Sequence, residues 1–412
     1  MTKDNYTKRW FRDFWGTMTY ELKLIFSDWG VLLIFLVAGL LYPLLYNVVY
    51  RNGILNETPI AVVDEADCAL SRRYIREVDA TRECRTAFRC ADMEEAKELM
   101  QTRQVSGILY FPADYGEKIA RNETASVSIY CDMSSFLYYK NALMAVNHVM
   151  LEEMNRIQAD DFRRAGFTEQ EVSQLTTFIP YEENNPYNRA FSYSIFLIST
   201  ILLIIIQQTL FYGMALLAGT QREQHASFSN LANRHQKHGI FRLVMGRGAA
   251  YWLLYLGISL YILTIVPALF GIPQRGNFWD ILVLIFFFVT DCVFFSMTWS
   301  TFVTRRESVF ILFLFMSPIC LFLTGTSWPS TAFPKFWTWF SYLFPTTFGC
   351  KAFINMSTAG GGLAVAEEQI LALTLQTIIY FLLASWSVYL ESWSIWRKQV
   401  QKETGKGMEE LA

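Results

Sequence analysis

The chain of 412 residues is 53% apolar and only 17% charged, against roughly a quarter charged in soluble domains, so it has the balance of a membrane protein. Its net charge of -2 is unevenly spread: residues 51–188 carry 15 basic and 23 acidic side chains, and the remainder is net +6. Neither part has the concentrated basic face that nucleic-acid binding requires, which excludes that class.

The chain opens with "RWFRDFWGTMTYELKLIF", which places Phe11, Phe14, Trp15, Met18, Leu22 and Ile25 on one helical face and Arg9, Arg12, Asp13 and Lys23 elsewhere. That is the pattern of an amphipathic helix lying in a membrane interface. Residues 1–30 are therefore read as an interfacial segment, either an anchor or a gating element. A first span follows at 31–50. It starts too late, runs too long and lacks the small-x-small site of a cleaved signal peptide, so it is expected to remain as an anchor.

The acidic block at 51–188 reads as an inserted α/β domain. Strands at "PIAVVD", "CRTAFRC", "SGILYFP" and "ASVSIYC" alternate with helices near 69–79, 91–103, 112–121 and 134–176. "PIAVVDEAD" looks like the magnesium-binding strand of a helicase-type ATPase, but the chain contains no G-x-x-x-x-G-K-[ST] phosphate loop. No G-x-G-x-x-G follows the strand either, so Asp64 and Asp67 are read as turn and capping residues before the next helix. Cys68, Cys84, Cys90 and Cys131 lie in this block. Two readings stand: a disulfide among the four, with Cys68 and Cys131 brought together on one sheet edge, or four buried thiols. Cys292, Cys320 and Cys350 fall in apolar surroundings and read as packing residues. No metal-ligand spacing appears; "HQKH" at 235–238 is too short for one.

Five further spans follow, at 189–218, 248–270, 279–303, 308–326 and 369–392, each of about the 20 apolar residues that a bilayer core takes. The fold class is thus an α-helical integral membrane protein with six transmembrane helices and an inserted extracytoplasmic α/β domain. Orientation follows from basic residues near the spans. Placing the N-terminus inside leaves sixteen Lys and Arg in cytoplasmic pieces and three in short outer loops, Arg275, Lys335 and Lys351. Both termini, including the tail at 394–412, are then cytoplasmic and the α/β domain is outside, where ATP is not available. No cytoplasmic segment reaches the roughly fifty residues a domain needs, so any ATP hydrolysis belongs to a partner.

Within the spans, Asp291 lies deep in "DILVLIFFFVTDCVFFSMTWS", where a carboxylate costs about 2.5–3.5 kcal/mol and should face the bundle interior or water. Gln207 and Gln208 lie midway along the second span and read either as pathway residues or as helix-to-helix hydrogen bonds. The cytoplasmic loop at 219–240, "GTQREQHASFSNLANRHQKHGI", offers Phe228 and Leu231 three apart, a small apolar ridge for another protein. The segment at 327–356 is interrupted by Pro329, Pro334 and Pro345 and rich in Trp and Phe. It reads as short helices dipping in from the outer interface.

In this order, the interfacial helix, the external domain opening with "PIAVVDEADCALSRRYIREVDA", Asn185-Pro186 before the second span, and "FPTTF" at 344–348 resemble the membrane subunits of bacterial ABC exporters of the type-two (type V) permease class, in the branch with a large external domain. The likeness covers nearly the whole chain. The family's Glu-Arg-Glu after the second span is here "QREQHAS", retaining only Arg222 and Glu223. The resemblance implies a non-catalytic subunit in the bacterial inner membrane that pairs with a second copy or a homologous permease. It implies no cofactor in this chain, with ATP and Mg held by a separate ABC ATPase. It also implies coupling through Arg222, Glu223, Phe228 and Leu231, export of an amphipathic or hydrophobic substrate, and a periplasmic adaptor as a further partner. A membrane sensor or scaffold with a ligand-binding external domain, and an ion-coupled transporter using Asp291, are the alternatives.

Overall fold

The computed structural model describes residues 3–50, 55–176, 193–224 and 239–409. Phe228, Leu231 and the Asn185-Pro186 pair lie outside the described residues. The chain is mostly helical and divides into two units, Met1–Gly53 with Tyr187–Ala412, and Ile54–Pro186.

The first unit is a helical bundle. Helix α1 spans Lys3–Ser27, and α2, the first candidate span, covers Trp29–Val49. Asp28 separates them in extended conformation. Its Oδ1 accepts from the backbone N–H groups of Gly30 (2.9 Å) and Val31 (3.3 Å), which caps the start of α2.

The second unit holds β1 (Thr58–Asp64), α3 (Ala69–Asp79), β2 (Cys84–Cys90), α4 (Met93–Gln101), β3 (Gly107–Phe111), α5 (Tyr115–Ala120), β4 (Ser128–Cys131), α6 (Phe136–Arg164) and α7 (Glu169–Thr176). The strands order as β2-β1-β3-β4, parallel except for the antiparallel β3–β4 pair, with a bulge opposite Ile60 and Ala61. Alternation along the strands builds two cores. Ile60, Val62, Leu109 and Phe111 meet Tyr74, Ile75 and Val146 on one face; Ala61, Val63 and Ile108 meet Ala96 and Val105 on the other. A strand buried on both faces reads as a near-continuous apolar run, as β1 does from Pro59 to Val63.

Three expectations change here. The helix expected at 134–176 is two, because Gly166 adopts φ +89 and ends α6. Thr168 and Glu171 then start α7 with reciprocal side-chain-to-backbone bonds of 2.9 and 3.4 Å. The cap of α3 is Cys68, whose Sγ accepts from Ser71 N, while Asp64 holds the turn by accepting from Asp67 N and Ser71 Oγ. Finally, all seven cysteines are thiols. Cys68 lies past the end of β1, whereas antiparallel β4 delivers Cys131 opposite Gly107, at the start of β3. The two therefore occupy opposite ends of the sheet and not one edge.

The bundle resumes with α8 (Tyr193–Glu223), α9 (Ile240–Leu269), α10 (Phe278–Ser300), α11 (Ser308–Leu323), the short α12 (Lys335–Ser341) and α13 (Pro345–Phe353), and α14 (Glu367–Glu409). Among the described residues, five helices are long and apolar enough to cross a membrane: α2, α8, α9, α10 and the Leu363–Glu391 stretch leading through α14. The span expected at 308–326 corresponds to α11, an apolar helix of 16 residues. At 1.5 Å per residue it covers about 24 Å of a roughly 30 Å core. Thr324 and Gly325, the latter at φ +79, close it. The last helix continues to Glu409, so the expected final span and tail form one helix.

Helix α8 is the axis of the bundle. Its membrane-length stretch is wholly buried, with α2, α9, α10, α11 and α13 packed against it. The proline-rich segment at 327–356 forms short helices, as read from its sequence, and α13 is inserted among α8, α10 and α14 with Thr346, Thr347, Cys350 and Ala352 buried.

Candidate transmission site

Helix α1 lies against α9, and two features of the sequence make that contact close. A Cβ on Gly246 would stand 2.7 Å from the carbonyl oxygen of Phe14, so only glycine admits the α1 backbone there. Asp13, Thr17, Glu21 and Ile25, each four apart, form the inward stripe. Glu21 is fully buried, and its Oε1 accepts from Arg247 Nε at 2.8 Å and from Tyr251 OH at 2.9 Å. Asp13 pairs with Arg242 at 3.3 Å.

The predicted apolar face of α1 divides. Phe11 and Trp15 are 53% and 54% exposed, Phe14 and Met18 half-buried. The helix thus presents large apolar side chains outward and carboxylates inward. Reading the aromatic face alone missed the second stripe, although the spacing of Asp13, Thr17 and Glu21 was visible.

A second cluster forms where α8 ends. Arg222 and Glu223, expected on a loop, belong to the last turn of α8 and are engaged within the bundle. Arg222 Nη1 donates to the Ser300 carbonyl at 2.8 Å and to that of Val303, and its Nε lies 3.5 Å from Glu391 Oε1 on α14. Glu223 Oε1 accepts from the backbone N–H of Arg306 at 2.9 Å. The Arg306 guanidinium in turn grips Asp28 with both ends of its fork, at 2.7 and 2.9 Å, and reaches Thr220 Oγ1 at 2.6 Å. That charge-assisted hydrogen bonding holds the Asp28 carboxyl below the usual carboxylate range. Arg306 was read in the sequence only as one of the basic residues that set orientation.

Midway along the bundle the three polar residues singled out in the sequence are all buried inside one subunit. Gln207 Oε1 accepts from Thr346 N at 2.8 Å, satisfying an orphan N–H in the first turn of α13, and its Nε2 points at Cys320 Sγ of α11 at 3.7 Å. Gln207 therefore joins three helices. Gln208 is buried beside it. Asp291 is fully buried on α10, and neither carboxylate oxygen has a hydrogen-bond partner among the described residues. The cleft between α8, α9, α10 and α14, lined by Arg222, Arg247 and Glu391, offers about 10 Å³. That is room for one water.

Buried helices, polar groups spent on joining them, and a mesh of ion pairs at one end fit a multi-pass membrane protein. Residues 29–386 match the family described as ABC-2 family transporter protein, and the chain belongs to that family. It is a non-catalytic permease subunit of the ABC transporter class. Compared with curated proteins, the chain finds no match.

Proposed function

We propose that this chain is the transmembrane subunit of an ATP-driven exporter in a bacterial inner membrane. A second copy or a homologous permease completes the export path, and a separate ABC ATPase supplies ATP hydrolysis with its own Mg. Both termini and the α8 end lie in the cytoplasm, and the unit at 54–186 lies outside, within reach of a periplasmic adaptor. The observation that carries this reading is the ion-pair mesh at the end of α8. It links α2, α8, the 301–307 connection and α14 at the start of residues 219–240, the segment read as the ATPase contact. A displacement applied there reaches several spans, which is what coupling by population shift requires. The exposed apolar face of α1, with Phe11 and Trp15, supports an interfacial position for that helix.

An amphipathic or hydrophobic substrate fits an apolar bundle with few polar side chains. Asp291, buried with no hydrogen-bond partner among the described residues, is kept as a pathway residue, whereas the hydrogen bonds of Gln207 favour a joining role.

The test is purification of the tagged chain from its host in mild detergent, with copurifying proteins identified by mass spectrometry. The expected result is a stoichiometric chain bearing a phosphate loop. Repeated recovery of intact, folded protein without such a chain overturns the reading.

A further inference from the structure

The most elaborately built feature outside the spans is the seat of Arg306. Its side chain and its backbone are both held. The fork takes Asp28, one Nη also takes Thr220 Oγ1, and the backbone N–H goes to Glu223. Two glycines make room for it. A Cβ on Gly30 would stand 2.3 Å from Arg306 Nη2, and one on Gly219 would stand 2.9 Å from the Arg306 backbone nitrogen. The second clash is with backbone and cannot be relieved by a rotamer change, so the chain of α8 must be glycine where the 301–307 connection crosses it.

The engagement is reciprocal. Arg222 of α8 reaches into the beginning of the same connection through the Ser300 and Val303 carbonyls, while Arg306 reaches back from its end to α8 and onward to the start of α2. Asp28 is at once the cap of α2 and the acceptor of Arg306. Because the connection joins the end of α10 to the start of α11 by only a few residues, holding both its ends leaves it little freedom to move apart from α8. A lysine at 306 would keep the charge but could not make the planar two-pronged contact.

We propose that Arg306 is a positioning residue of the transport cycle, locking the starts of α2 and α11 and the end of α10 to the end of α8 so that they move as one body. This rests on the exporter reading above. When an ATPase displaces the end of α8, Glu223 and Thr220 carry the displacement to Arg306, and Arg306 passes it to α2 through Asp28.

The experiment uses the complex of the chain with its copurifying ATPase, comparing wild type, Arg306→Lys and Asp28→Asn. Four quantities are measured: melting temperature, ATPase recovered per chain, KM for ATP, and kcat for ATP hydrolysis in liposomes. Both variants should assemble with the wild-type amount of ATPase and an unchanged KM, while kcat falls at least fivefold. Wild-type kcat in an assembled variant overturns the proposal. Loss of the folded chain, or of the bound ATPase, in both variants assigns the cluster a purely structural or docking role and also overturns it. Failure of wild type to bring down an ATPase is a separate result, which removes the exporter reading itself.

Discussion

In the unit from Ile54 to Pro186, ion pairs sit mostly at the surface: Arg163 with Glu169, Lys97 with Glu94 and Arg72 with Asp67 all involve side chains about half exposed or more. In the bundle the pairs are drawn inward, with Arg247 and Glu21 at 8% and 0% exposure and Arg242 and Asp13 at 11% each. The difference teaches where each unit keeps its specificity. The α/β unit is defined by two aliphatic cores, and its surface pairs add little to stability. The bundle is greasy on every side, so apolar packing alone distinguishes poorly between one helix arrangement and another. Its buried charges accept few geometries, which we take as their role in registering α1 against α9. Glu153 is the exception in the α/β unit: it is buried between Arg73 and Arg156, at the seam of α3 and α6.

The largest effect expected from this contrast is at Glu21. Replacing Glu21 or Arg247 singly with Ala strands a buried charge and should cost about 3–5 kcal/mol, read as the shift in thermal unfolding in detergent. The double replacement Glu21→Leu with Arg247→Leu should lose much less, since no charge is left unpaired. Equal losses in single and double variants would remove the view that the pair acts as a register device.

A smaller loss is expected at Gln207, which serves helix joining and not charge pairing. Gln207→Leu fills similar space but leaves Thr346 N buried without an acceptor, a penalty of about 1–3 kcal/mol. The loss should appear as faster hydrogen exchange confined to the first turn of α13. Exchange that rises equally over α8 and α10 would show that the side chain supports the bundle at large.

Much of this was legible in the sequence, for identifiable reasons. Apolar runs of bilayer length marked the five helices that are long enough to cross a membrane, and short apolar runs marked the four strands, among the described residues. The break in the helix after Arg164 was written as Gly166 followed by Thr168-x-x-Glu171, but the polar pattern on either side is continuous and masked it. The shortness of α11 was harder to read, because its apolar run continues through Leu323 and the stop depends on the positive φ of Gly325. The transmission cluster was the least legible. Arg222 and Glu223 were found through resemblance, but Arg306 meets Thr220 across 86 positions of the chain and Asp28 across 278, and no local period marks such a meeting.

The smallest effect, and the one that tests the α/β unit most directly, concerns its cysteines. Cys84 begins β2 at one edge of the sheet and Cys131 ends β4 at the other, with β1 and β3 between them. Three inter-strand spacings amount to about 14 Å, twice the roughly 7 Å over which two Cα atoms can be bridged. Cys84 and Cys90 stand at opposite ends of one strand, and Cys90 faces the core on the other side of the sheet from Cys68. An oxidant therefore finds none of these pairs placed for joining, and all four are thiols. Intact protein denatured without reductant should take up seven maleimide labels, and a deficit of two restored by reductant would mean that a disulfide exists after all. In the folded protein Cys84 should resist labelling. Burial pushes its thiol up to about 12, so that roughly one molecule in 10⁴ carries the reactive thiolate at pH 8. Rapid labelling of Cys84 at that pH would show that the β2 edge opens and that the aliphatic cores hold the unit less firmly than the buried charges hold the bundle.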